Sequence, residues 1–127
     1  MFLLNEEVLI CSSRSTSSPE GDEGITGHNW RIVATVAVRE LDGRGEILPS
    51  GKLAGLLWQV AQPLDHRHLD DLPPFAAPPG PTPPRVALHI WEGLRKLTDD
   101  DRVRLTELAV WTESGQCTRV REGSARG

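Results

Sequence analysis

Four short clusters in this chain carry side chains able to do chemistry. Ile25-Thr26-Gly27-His28-Asn29-Trp30 sets an imidazole where a polar stretch enters an alternating strand. That is a place where a sheet enzyme can hold a ligand or a proton carrier. Leu64-Asp65-His66-Arg67-His68-Leu69 puts a carboxylate directly beside an imidazole. Such a neighbour can fix the ring's tautomer and raise its basicity, which suits a general acid or base. The plain alternative is an exposed loop pair. Pro81-Thr82 opens the second apolar-periodic segment, and Trp111-Thr112-Glu113-Ser114 closes a late strand with an acid. His68 reads as a bystander and His89 as a helix-surface residue. Trp30 and Trp111 are able to stack a flat ring, although tryptophan is more often used for packing.

These side chains need elements to position them. Phe2 to Cys11 reads as a strand rich in Leu, Val and Ile, and Ser12 to Gly24 as a polar loop. Trp30 to Leu41 alternates, with Trp30, Ile32, Ala34, Val36 and Val38 on one face. The other face is only partly polar, so both faces are expected to be covered, as in a closed barrel. Asp42-Gly43-Arg44-Gly45 is a turn. A helix is expected over Ser50–Ala61, where Leu53, Leu56, Leu57 and Val60 share a stripe. Seven of the ten prolines fall between Leu72 and Pro84, which predicts a semi-rigid, near-extended connector. Thr82 is a suitable N-cap with Pro83 at the first helical position, and that helix is expected to reach about Leu97. Leu105–Thr112 and Cys117–Arg121 read as strands joined by a turn at Ser114-Gly115-Gln116. The order strand, strand, helix, helix, strand, strand fits an α+β fold, an antiparallel sheet with two helices on one face. Residues 1–122 form one domain in this reading, and 123–127 a loose tail.

Composition narrows the function. With 14 basic and 18 acidic side chains the formal charge is -4, and no basic run offers a nucleic-acid footprint. No stretch approaches a membrane span, and the first residues lack the pattern of a signal peptide, so a cytoplasmic protein is expected. Cys11 and Cys117 make neither a zinc motif nor a disulfide framework, and both read as structural thiols.

In register, these clusters resemble the 6-pyruvoyl-tetrahydropterin and 6-carboxy-tetrahydropterin synthases over nearly the whole chain, about Val8 to Glu122. Thr26-Gly27-His28-Asn29-Trp30 is similar to the family's His-Gly-His-Asn-aromatic corner, and Asp42-Gly43-Arg44-Gly45 to its glycine turn. Leu64-Asp65-His66, Pro81-Thr82 and Glu113-Ser114 are similar to its Leu-Asp-His, Pro-Thr and Glu-Thr segments. The resemblance implies the tunnelling fold, with subunit sheets joined into a barrel and active sites between subunits. It implies zinc on three histidines, a cysteine base assisted by an Asp-His pair, and a glutamate that anchors a pterin ring.

The chain departs from that pattern at the chemistry. The positions matching the zinc histidines hold Arg14, Thr26 and His28, and the cysteine position falls on Asp22, beside Glu23. The family's acidic-aromatic pair is Pro49-Ser50, and its Glu after Pro-Thr is Pro84. Zinc prefers several N, S or carboxylate ligands, so no metal site and no cofactor are expected, with His28 the one ligand retained. The expected roles are proton transfer by His66 oriented by Asp65, and substrate binding by Glu113, Thr82 and His28. The expected protein is a homo-oligomer, trimer or hexamer, that binds a pterin-like or other flat heterocycle. It would act as a zinc-independent lyase or cyclase. Two alternatives stay open: an ordinary zinc-dependent synthase, and a non-catalytic binding subunit.

Overall fold

The computed structural model describes residues 1–17 and 23–123. Strands β1 (Phe2–Ser17) and β2 (Glu23–Val38) form a long antiparallel ribbon. Helix α1 (Lys52–Ala61) and helix α2 (Pro83–Thr98) follow, then strands β3 (Arg104–Trp111) and β4 (Cys117–Arg121). The sheet runs β1-β2-β3-β4 and every neighbouring pair is antiparallel. The α+β, β-β-α-α-β-β architecture expected from the sequence is the one observed.

One sheet face carries the core. Ile10, Trp30, Ile32, Ala34, Val36 and Val38 meet Leu53 and Leu57 of α1 and Val86, Ile90 and Leu94 of α2, all buried. Burying a Leu or Ile side chain is worth about 1.5–3 kcal/mol, so this layer supplies most of the drive to fold. The helices approach closely at Gly93, where an added Cβ would stand 2.9 Å from Val60 Cγ1. The opposite face is laced with charge. Arg31 reaches Glu7 at 3.5 Å, and Trp111 lies between the guanidiniums of Arg31 and Arg119 at 5.0 and 5.5 Å. Glu107 meets Arg121 at 2.6 Å on the same face.

Helix starts are secured in two ways. Thr82 Oγ1 accepts from the Arg85 backbone N–H, with Pro83 at the first helical position, as the sequence predicts. Helix α1 has no side-chain cap of its own, and Gly51 before it is left-handed at φ 78°. Instead Glu6 of β1 accepts from Ala54 N–H at 2.9 Å, which sets a carboxylate on exposed helix donors and pins α1 to the sheet.

Four expectations need correction. The Ser12–Gly24 loop is largely strand, because β1 continues to Ser17 and β2 begins at Glu23. His28 therefore lies within a strand rather than at its entry. The proline-rich connector is compact: 3-10 turns at Leu69–Asp71 and Pro73–Phe75 bury Leu69 and Phe75 in the core. Arg85 holds the connector by donating to the carbonyls of Pro74, Ala77 and Gly80. His89 is half-buried and meets Phe75 edge-on at 5.4 Å, and burial lowers its pKa. Strand β2 also ends at Val38, three residues short of Leu41.

Candidate functional site

The long β1–β2 ribbon extends past the cover of the helices, and the chain after α1 folds along its open edge. Cys11 N–H donates to Asp65 Oδ1 at 2.9 Å, His66 N–H to the Cys11 carbonyl at 2.6 Å, and Ser13 N–H to the Arg67 carbonyl at 3.0 Å. Ser12 Oγ donates to the Leu64 carbonyl, and Ser13 pairs with His68 in a short parallel bridge. His68 Nδ1 meets Ser13 Oγ at 2.9 Å and its Nε2 faces Asp70 Oδ1 at 3.5 Å. Asp70 Oδ1 also accepts from Ser15 N–H at 2.8 Å. Residues 65–68, with the Asp70 carboxylate, thus cover this stretch of the β1 edge and satisfy backbone groups that would otherwise face solvent.

This pairing presents the Asp65-His66 dyad. Asp65 uses Oδ1 on the Cys11 backbone and turns Oδ2 toward His66 Nε2 at 3.5 Å. Asp65 is mostly buried and His66 is 80% exposed, so a fixed carboxylate stands behind a ring open to ligand. His66 has φ 57°, in the left-handed region that non-glycine residues rarely adopt. Backbone strain of this kind concentrates at functional sites.

Across the cavity, β3 ends at Trp111, and the next acid closes the ladder. Glu113 Oε1 accepts from Asn29 N–H at 2.6 Å, so its side chain takes up a strand N–H that lies beyond the last β2–β3 pair. This short charge-assisted bond orients the carboxylate and leaves Oε2 to a ligand. Cys11 donates its thiol to Asn29 Oδ1 at 2.8 Å. Cys11, Ser12, Ser13, Gly27, His28, Asn29, His66, Arg67, His68 and Glu113 line an open cavity of about 440 Å³, within the range of small-molecule sites.

Of the residues predicted from sequence, His66, Glu113 and His28 line this cavity, and Asp65 supports it from behind. Thr82 does not line it; its hydroxyl caps α2. Asp22 lies outside the described residues. Sequence reasoning set Cys11 aside as structural, yet its exposed thiol stands on the cavity wall. His68, read as a bystander, is bonded into the wall through Ser13. No local pattern marked either, because Ser12-Ser13-Arg14-Ser15-Thr16-Ser17 continues the strand through serine and threonine without apolar alternation.

The three positions matched to zinc ligands do converge. Arg14 pairs with Thr26 in the β1–β2 register, and Ser12 with His28, so Arg14, Thr26 and His28 share one face. His28 Nε2 is taken by Thr26 Oγ1 at 2.8 Å. The guanidinium of Arg14 stacks over the buried Trp30 at 5.8 Å, and His28 meets the same ring edge-on at 5.6 Å. Burial, then the Arg14 cation, lowers the His28 pKa, while Glu113 raises it in part. Arg14 Nε is buried without a hydrogen-bond partner among the described residues. A fixed cation, a hydroxyl and one engaged imidazole do not fit a zinc ion, which binds neutral imidazole, thiolate or carboxylate.

The 6-pyruvoyl tetrahydropterin synthase family pattern matches residues 5–123. The 6-pyruvoyl tetrahydrobiopterin synthase of Pongo abelii is 33% identical over 97 residues, which span 76% of this chain and 63% of that protein. The fold superposes on 6-pyruvoyl tetrahydropterin synthase of Caenorhabditis elegans with a TM-score of 0.67 at 20% identity, over 97% of this chain and 98% of the other. The Plasmodium falciparum enzyme gives a TM-score of 0.71 at 14% identity, over 94% and 98%. The four-stranded antiparallel sheet, its two helices and the pattern match across nearly the full length agree: the chain belongs to the 6-pyruvoyl tetrahydropterin synthase family.

Proposed function

We propose that this protein is a lyase- or cyclase-type catalyst of pterin chemistry, acting on a pterin-like or other flat heterocycle without zinc. The observation that carries this reading is the Glu113 carboxylate. It is held by Asn29 N–H at 2.6 Å on the wall of the cavity that His66 also lines. A carboxylate so oriented suits the N–H edge of an amino-pyrimidinone ring, a paired-donor match. His66, backed by Asp65, is the group able to move a proton at the ring's substituent. Activation without a metal is supported by the donor set at Arg14, Thr26 and His28.

The cavity is open, and β4 is an edge strand of the sheet among the described residues. Both features favour a homo-oligomer, trimer or hexamer, in which a neighbouring copy closes the site. Light scattering on a size-exclusion column tests this, and a monomer at micromolar concentration contradicts it. Among the described residues no helix is long and apolar enough to cross a membrane.

The functional test is a calorimetric screen of pterins and related bicyclic rings, followed by turnover assays on whatever binds. Saturable binding with product formation supports the reading. Binding with no turnover by the parent protein would leave a binding subunit, and no binding at all removes the pocket assignment.

A further inference from the structure

Arg14 has an arrangement that the proposed mechanism does not use. Its guanidinium lies over Trp30, which is fully buried, and its Nε is enclosed with no acceptor among the described residues. No carboxylate among the described residues forms an ion pair with it. Enclosing a charged donor unsatisfied is costly, so such a group persists where a ligand or a function compensates. Arg14 is not itself on the cavity wall, but its register partner Thr26 meets the wall residue His28 through Oγ1 at 2.8 Å.

We propose that Arg14 stands in place of a metal ion. Its guanidinium is the fixed cation of the site, set to receive an electron-rich oxygen on the substituent of the ring that Glu113 holds. This rests on the heterocycle reading above. Arginine suits the task because it stays charged at every working pH and presents planar N–H donors to oxygen. The three side chains share one face of the ribbon. Arg14 and Thr26 are register partners, His28 is two residues on, and Thr26 Oγ1 already reaches His28 Nε2 at 2.8 Å. What has changed is the donor chemistry.

Restoring donors is the test, and it needs no ligand. The parent protein and an Arg14→His/Thr26→His double variant are titrated with Co²⁺, and the four-coordinate visible absorption is read. The parent is expected to show none, and the double variant to gain one Co²⁺ per subunit. One equivalent bound by the parent and lost in His28→Ala overturns the proposal. So does a double variant with parental circular dichroism and Tm that binds no metal. If the double variant does not fold, Arg14→Met decides, since it keeps an aliphatic stem on Trp30. In the calorimetric screen, Arg14→Met is expected to lose at least tenfold in affinity for rings bearing an oxygenated substituent, with the bare ring bound as before. Equal losses for both ligands contradict the proposal while leaving the Glu113 reading intact.

Discussion

Glu113→Gln is the most informative single change. The side chain spends Oε1 on Asn29 N–H at 2.6 Å and keeps Oε2 for a ligand. Glutamine preserves shape, and its amide oxygen is able to keep the Asn29 bond, so the fold is expected to survive. Its NH₂ then faces the ligand where an acceptor stood, and a donor meets the ring's own N–H donors. Truncating one partner of a buried charged hydrogen bond costs about 2–5 kcal/mol. Glu113 is exposed in the protomer, so the low end applies, and solvent trims it further to roughly 1.5–2 kcal/mol. At about 1.4 kcal/mol per factor of ten, affinity is expected to fall roughly 10- to 30-fold. Calorimetry with the ligand found in the screen reads this directly. NMR supplies an internal control, because the Glu113 charge raises the His28 pKa and its removal is expected to lower it. A variant whose His28 titration moves while its affinity does not would refute the anchoring role. A variant that loses Tm as well as affinity would mark Glu113 as a structural brace.

Three further outcomes follow from the same geometry. His66→Ala is expected to spare binding and lower turnover by about 10²- to 10⁴-fold, the usual contribution of a positioned acid or base; steady-state kinetics read as separate kcat and KM check it. Thr82→Ala removes the α2 cap, costs about 0.5–2 kcal/mol of stability in urea unfolding, and leaves ligand affinity unchanged. His28 and His89 both have pKa values lowered by burial from the ordinary 6.5. The unfolded chain therefore binds protons more readily than the folded one. Their stabilisation is complete above about pH 6.5 and is lost as the pH falls through their folded values, so Tm is expected to drop from pH 7 to pH 5, with a shallower slope in His89→Gln.

Much of the fold was legible because burial writes itself as periodicity. Trp30, Ile32, Ala34, Val36 and Val38 alternate since one sheet face meets two helices, and Leu53 and Leu57, or Val86, Ile90 and Leu94, repeat at helical spacing for the same reason. The ribbon's distal end carries no such pattern. Beyond Cys11 the strand's pairing partners are β2 and residues 65–70, and the bonds are made by backbone, serine and aspartate, which leave no hydrophobic trace. The loop predicted there follows from reading strands by their apolar face. Proline content likewise pointed to an extended connector, while the burial of Leu69 and Phe75 in the core decides its compact path. Glu113 and His66 were identifiable as candidates by their place in a resembling pattern, and both line the cavity. Cys11 and His68 were not, because the contacts that bring them to the cavity cross more than fifty residues of sequence.

Binding of a heterocycle at this cavity without zinc is open to direct measurement. The most direct measurement is a fluorescence titration of a pterin into protein whose metal content has first been determined by elemental analysis. Saturable binding near one ligand per subunit, in protein carrying no stoichiometric zinc and unchanged by a chelator, is the predicted result. One zinc per subunit, with binding abolished by its removal, would contradict it.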